Sequence, residues 1–186
     1  ISNPEQMQEL VEDIIDCKKN FKASYVEIRT LLTRDLLTSM GFGISNFYKQ
    51  HYIDLKKDLN SIQKSFSRSC VKQPIQRARK NQLKLKVASD FEDLKSFYDL
   101  LFETRKRLKL PPIPYKFFRS LWDVFGGTEL LTILLAVKNG EVISSLLILK
   151  FNRRASAEFL GYKKEKQNLS PNHFLFWEGI QMAHAE

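Results

Sequence analysis

The sequence predicts an α/β fold of the α+β kind, arranged as the end of one unit followed by most of a second. Three observations carry this. Residues 83–186 switch between two-residue and three-to-four-residue apolar periods in the order strand, helix, helix, strand, strand, strand, helix. Asn139-Gly140 divides two apolar runs and is a strong two-residue hairpin signal. A basic stretch, Lys64–Lys86, separates this part from a differently patterned beginning. The expected organisation is 1–63 as the C-terminal part of a first unit, 64–82 as a basic helical connector, and 83–186 as a second unit lacking its last strand or strands.

The first unit opens with Asn3-Pro4-Glu5, an N-cap with proline at the first helical position. Met7, Leu10, Val11, Ile14 and Ile15 recur at helical spacing to about Lys19. Residues 23–29, ASYVEIR, alternate like a half-buried strand, with Tyr25 and Glu27 opposite Val26 and Ile28. Gly41-Phe42-Gly43 marks a turn, and Ser45–Leu55 contains a second aromatic-rich strand.

Asp58 to about Phe66 reads as a helix. Pro74 cannot sit inside a regular helix, so it opens a new short one with Val71, Ile75 and Ala78 as its apolar stripe. Leu83, Leu85 and Val87 alternate with Lys84 and Lys86 as a strand. Ser89-x-x-Glu92, or Asp90 alone, caps a helix to Lys109 that buries Phe91, Leu94, Phe97, Tyr98, Leu101 and Leu108. Leu110-Pro111-Pro112 stops it. Tyr115–Phe125 forms the next helix, ended by Gly126-Gly127. Leu130–Val137, Val142–Phe151 and Ala155–Tyr162 are strands, and a last helix runs from about Pro171.

Composition narrows the function. The chain has 186 residues, a net charge of +9, 43% hydrophobic and 27% charged residues, which is ordinary for a globular protein with a real core. The segment Lys64–Lys86 holds eight Lys or Arg and no acidic residue, so it accounts for nearly all the net charge. Such a field attracts a polyanion, or it is the solvated face of a connector. The two cysteines, Cys17 and Cys70, form no CxxC pair, which fits a reducing, cytoplasmic setting and no zinc site. No run approaches the roughly 20 apolar residues of a membrane helix. The chain begins without Met and both ends fall in helix-like patterns, as in a piece of a longer protein.

The order of elements in 83–186 is that of the GNAT acyltransferase core short of its last strand, and the first segments match the tail of the same unit. A GNAT domain binds acyl-CoA where glycines let backbone amides reach the pyrophosphate, in the loop after the fourth strand. Here that loop is Gly161–Asn172, with one Gly at its edge and no Gly-x-Gly/Ala pattern. Thr104 falls on the apolar stripe of its helix. It either bonds the carbonyl four residues back or opens, with Arg107, onto a substrate cleft. Arg105, Lys106 and Arg107 suit the negative end of the helix dipole, and arginine also suits bidentate phosphate or carboxylate binding. His51, His173 and His184 have no metal-ligand spacing, and no metal site is expected.

These residues resemble the FemA/FemB/FemX-type aminoacyltransferases, proteins of two GNAT-like domains. The resemblance rests on YVEIR, the basic VKQPIQRARKNQLKLKV, DFEDLKSFYDLLFETRKRLKLPPIPYKFF, LLAVKNGEVISSLLIL, and AEFLGYKKEKQNLSPNHFLFWEGIQMAHAE, over about 160 residues. The middle block is the most specific. The resemblance implies a GNAT-like acyltransferase fold, the C-terminal part of one domain followed by most of a second. It implies transfer of an amino acid from aminoacyl-tRNA to an amine of a peptidoglycan precursor, soluble or lipid-linked at the inner membrane face. No bound cofactor is implied, aminoacyl-tRNA being a co-substrate. By motif, the substrate-binding residues are Thr104 and Arg107, with Arg105 as a competing choice, and Tyr115, Phe159 and Tyr162 near them. Phe159 stands where the family has Tyr, so a hydroxyl contact is lost there. The tRNA phosphates fall to Lys72, Arg77, Arg79 and Lys80.

The chain departs from the family in three ways. Pro74 interrupts a basic helix that is usually continuous. The serine-tRNA-type coiled-coil arm is absent. A Gly-x-x-x-Asp-x-Gly strand and a later Phe-Lys pair do not appear, so this stretch on its own is expected to be inactive, with catalytic residues outside it. Two other readings stay open. One is an acyl-CoA-dependent GNAT N-acyltransferase acting on a polysaccharide or lipid precursor. The other is a non-catalytic nucleic-acid-binding module.

Overall fold

The computed structural model describes residues 4–28, 34–45 and 51–185, which fall into two compact units, Ile1–Tyr52 and Ile53–Glu186. In the first unit, α1 (Pro4–Asn20) and α2 (Arg34–Ser39) are helical. Both end in the six-to-one and five-to-two hydrogen bonds of a Schellman turn, with Lys22 and Gly41 in the left-handed region. The strand expected over 23–29 is not formed in its described part, 23–28. The alternation is real, because Val26 and Ile28 are half-buried while Tyr25 and Glu27 are exposed. No ladder partner accompanies it among the described residues, and alternation without a partner gives only extended chain. Of the strand expected within Ser45–Leu55, residues 46–50 lie outside the described residues, and the described ones, 45 and 51–55, carry none.

In the second unit, α3 (Leu59–Ser65) starts at Asp58, whose carboxylate accepts from Ser61 N at 2.9 Å. A π turn over Arg68–Lys72 then leads into α4 (Gln73–Lys80). Pro74 explains the widening: it has no N–H to offer the Cys70 carbonyl four residues back. The His173 ring hydrogen-bonds the Cys70 backbone instead. Desolvation lowers the His173 pKa, that hydrogen bond opposes the shift, and Arg77 adds to it. The short helix at Pro74 is as expected, and its buried residues are Pro74, Ile75 and Ala78.

A four-stranded antiparallel sheet follows in the order β1 (Lys84–Val87), β2 (Leu131–Lys138), β3 (Glu141–Phe151) and β4 (Arg154–Tyr162). Between β1 and β2 run α5 (Phe91–Arg107) and α6 (Tyr115–Phe125); after β4 come a 3₁₀ turn, Lys164–Leu169, and α7 (Pro171–Ala185). Asn139 and Gly140 both have positive φ, 53° and 81°, which matches the twist of the β2–β3 hairpin. Asn152 and Arg153 repeat the device at 48° and 59°.

Helices cover both faces of the sheet, so its central strands read as nearly unbroken apolar runs rather than clean alternation. Leu131, Ile133 and Leu135 face α5 and α6, packing with Leu94, Phe97, Leu101 and Phe118. Leu134 and Ala136 face the other way, with Ala78, Phe174 and Leu175 from α4 and α7. Phe118 sits edge-on to both Phe97 (5.2 Å) and Phe159 (5.1 Å). Phe97 and Phe118, both fully buried, each stabilise the fold by about 1.5–3 kcal/mol of apolar burial, with the edge geometry adding to it. Asp93, 4% exposed, ties β1 to α5 by accepting from Lys86 Nζ (2.5 Å) and Ser89 N (3.1 Å).

Candidate functional site

The end of α5 meets the end of β4. Gly161 permits this approach, since a Cβ there would stand 2.5 Å from Leu101 N and 2.6 Å from Leu100 C. Helix and strand backbones are therefore in direct contact, which sets the position of the next residue, Tyr162. Thr104, 5% exposed, takes both backbone groups of Tyr162: its hydroxyl accepts from Tyr162 N (3.0 Å) and donates to Tyr162 O (3.3 Å). The carbonyl that satisfies Thr104 is thus 58 residues away in sequence, not four residues back in its own helix.

Arg107 lies one turn beyond Thr104. Its guanidinium carbon stands 4.4 Å over the Tyr162 ring. Its Nη2 is buried and has no hydrogen-bond partner among the described residues. A stacked guanidinium with a buried, unspent N–H is a preformed donor for an acidic oxygen. Arg105 is turned away, donating from Nε to Pro111 O at 2.7 Å. Tyr115 packs edge-on to Tyr98 at 5.1 Å, and Tyr98 donates to Ile113 O at 3.1 Å. Phe159 joins Phe117 and Phe118 on the α6 side. So Thr104, Arg107 and Tyr162 come together, while Arg105, Tyr115 and Phe159 stand with the α5–α6 connection and its aromatic cluster.

The connection from β4 to α7 spends several of its backbone amides internally. Lys163 N donates to Ile143 O, Lys166 N to Lys163 O, and Ser170 N to Gln167 O. Pro171, the first residue of α7, has no N–H. Buried Ser144 Oγ lies 3.1 Å from Gly161 O and 2.8 Å from Asn172 Oδ1, which draws Asn172 inward. Lys163 also pairs with Glu141 and holds its carboxyl below the usual range. A 3₁₀ turn fills this loop, and its run of polar residues has no apolar period that would mark it in the sequence.

A second feature is a groove of about 230 Å³ between α3 and α4, lined by Gln63, Lys64, Lys72, Ile75, Gln76 and Arg79. Lys72 Nζ donates to Lys64 O at 2.8 Å, and Arg79 Nη2 stands 4.0 Å from Glu178 Oε1. The four basic residues expected to act together therefore divide. Lys72 and Arg79 line the groove, whereas Arg77 and Lys80 are exposed outside it. The spacing 72, 75, 76, 79 is one helical face, a signal that would have found Gln76 and separated the cations. Among the described residues no cluster of His, Cys, Asp or Glu could hold a metal.

The comparisons with known proteins agree with this architecture. Residues 65–186 match the acetyltransferase (GNAT) domain, and the chain belongs to that family. It is thus of the acyltransferase class. The fold is that of FemX, whose crystal structure superposes with a TM-score of 0.71 at 14% identity. The match covers 99% of this chain and 66% of the FemX chain, so this chain spans just under two thirds of that protein. No curated protein matches the sequence significantly.

Proposed function

We propose that the chain is part of an aminoacyltransferase that moves an amino acid from aminoacyl-tRNA to an amine of a peptidoglycan precursor. The observation that carries this reading is the β4–α7 connection. An acyl-CoA donor calls for free backbone amides there to meet a pyrophosphate; here the amides of Lys163, Lys166 and Ser170 are spent and Pro171 has none. In the proposed reaction the acceptor amine attacks the ester carbonyl of the donor. A C–N bond forms, the C–O bond to the ribose breaks, and the amine proton leaves with the released ribose oxygen or to water. Arg107, over Tyr162, would hold an acidic group of the acceptor, with Thr104 keeping Tyr162 in place. Lys72 and Arg79, with Lys64, would take tRNA phosphates, and Arg77 and Lys80 would add a general field. Positioning then does most of the work.

The test is transfer assayed with the full-length protein. Radiolabelled aminoacyl-tRNA plus precursor is expected to give an amide-linked product, and Arg107→Gln to raise the acceptor KM. Absence of transfer from every aminoacyl-tRNA, with acylation from acyl-CoA instead, sinks the proposal. That second reading, an acyl-CoA-dependent N-acyltransferase, is favoured by the acetyltransferase description of the family. For tRNA binding, Lys72→Gln with Arg79→Gln should lower the salt slope by about one per lost phosphate contact. Binding with an unchanged slope would remove the groove from the tRNA path. Strong tRNA binding without any transfer would instead favour a non-catalytic nucleic-acid-binding module.

A further inference from the structure

Beyond Arg107, the stretch from the end of α5 into α6 takes no part in the reaction proposed above. Between Thr104 and Trp122 there are six Lys or Arg and no Asp or Glu. Apolar side chains on it stand out in solvent: Leu108, which its helical spacing marked for burial, is 56% exposed, and Leu110 is 46% exposed. Lys106, Lys109 and Lys116 are exposed among them. The backbone that presents them is stiff. The α5 terminus is closed by Lys109 N to Lys106 O (3.1 Å) and Leu110 N to Arg105 O (2.9 Å). Arg105 Nε and Tyr98 Oη then hold Pro111 and Ile113 by their carbonyls. Lys109 occupies the left-handed position, φ 57°, where glycine meets least steric resistance. A lysine is thus kept at a strained site, and two leucines are held outward on a fixed turn.

We propose that this tip is a membrane-docking surface for an anionic phospholipid bilayer. Charge complementarity and the apolar side chains together select that occupant. Exposed leucines alternating with exposed lysines along one turn call for hydrocarbon and negative charge together, as at the boundary between acyl chains and headgroups. Nucleic acid offers the charge without the hydrocarbon. Lysine stems lie along the apolar layer while their ammonium groups stay at headgroup level. Among the described residues no helix is long and apolar enough to cross a membrane, so the contact is one of surface insertion. Arg107 immediately precedes Leu108, which places the Arg107–Tyr162 pair beside the docked interface and fits an acceptor that carries a lipid. The proposal does not depend on which acyl donor is used.

The test is co-sedimentation of the intact protein with vesicles of phosphatidylcholine alone or mixed with phosphatidylglycerol. Binding is expected to the mixed vesicles only. Lys106→Gln with Lys109→Gln should weaken it by about fivefold per lysine. The double change Leu108→Ser and Leu110→Ser should weaken it by on the order of tenfold. Circular dichroism and melting of each variant check that the fold is kept, as exposed positions predict. No binding to mixed vesicles overturns the proposal. So does binding that ignores both changes and is lost with Lys72→Gln and Arg79→Gln, since the basic helix is then responsible. A self-associated species that Leu110→Ser dissolves would assign the tip to a second copy and overturn it as well.

Discussion

Replacing Thr104 by valine separates two roles that meet in one side chain. Valine keeps the shape and removes the hydroxyl. Tyr162 N and O, on an edge strand and turned toward α5, lose their partner at 3.0 and 3.3 Å. Leaving a buried donor or acceptor unmet costs about 1–3 kcal/mol each. Tyr162 is only partly buried, so water reaches some of this loss, and the two together should cost about 2–3 kcal/mol. In a domain of this size that is a fall in Tm of roughly 6–12 °C. Urea denaturation with an unchanged m-value is the measurement, and Thr104→Ser should retain most of the stability. A Thr104→Val protein within about 0.5 kcal/mol of the parent would refute the clasp. The acceptor KM supplies the second readout in the full-length protein. If Thr104 touches substrate, Thr104→Val raises KM at a temperature where the protein remains folded; if it acts through Tyr162, a Tyr162 substitution in the Thr104→Val background adds little further effect.

Three further outcomes follow from the same geometry. Gly161→Ala should destabilise by about 3 kcal/mol, the upper part of the overpacking range, because the new methyl meets helix backbone that cannot turn aside; a soluble, equally stable Gly161→Ala would show that α5 can move. Lys109→Gly should stabilise by about 0.5–1 kcal/mol by relieving the left-handed lysine, read as a higher Tm, while weakening vesicle binding; a lower Tm would mean that the lysine side chain itself supports the turn. His173 has a folded pKa below its ordinary 6.5, with desolvation as the leading cause. The unfolded chain therefore binds the proton first, so its contribution is full above about 6.5 and is lost as pH falls toward the folded value. Denaturation midpoints measured from neutral to mildly acid pH should drop in the parent and drop less in His173→Gln; parallel curves would exclude His173 as the source.

The local rules reached far in the second unit. Asp90, Asn139-Gly140, Leu110-Pro111-Pro112 and the apolar periods place α5, α6 and the three long strands to within a residue or two. Turn and cap chemistry acts between neighbours, so it is written in neighbours. The beginning of the chain shows the limit: residues 23–28 have strand alternation yet form no strand, because a ladder needs a partner that alternation does not supply. The π turn before Pro74 follows from a missing N–H, but the donor that meets the Cys70 carbonyl, the His173 ring, comes from a helix about a hundred residues later.

The candidate site divides in the same way. Thr104 was marked by its place on an apolar stripe and Arg107 by its place at a helix end. That the first holds both polar groups of Tyr162, and the second stacks on its ring with one N–H unspent, depends on contacts across more than fifty residues. The sorting of Lys72 and Arg79 from Arg77 and Lys80 was present as helical phase, though only packing of α4 against α7 and α3 turned phase into a groove. Charge, period and turn residues are properties of a segment and can be read along it. Which polar group is spent and which is left to meet a ligand is settled by what folds against it, and that is a property of the assembled chain.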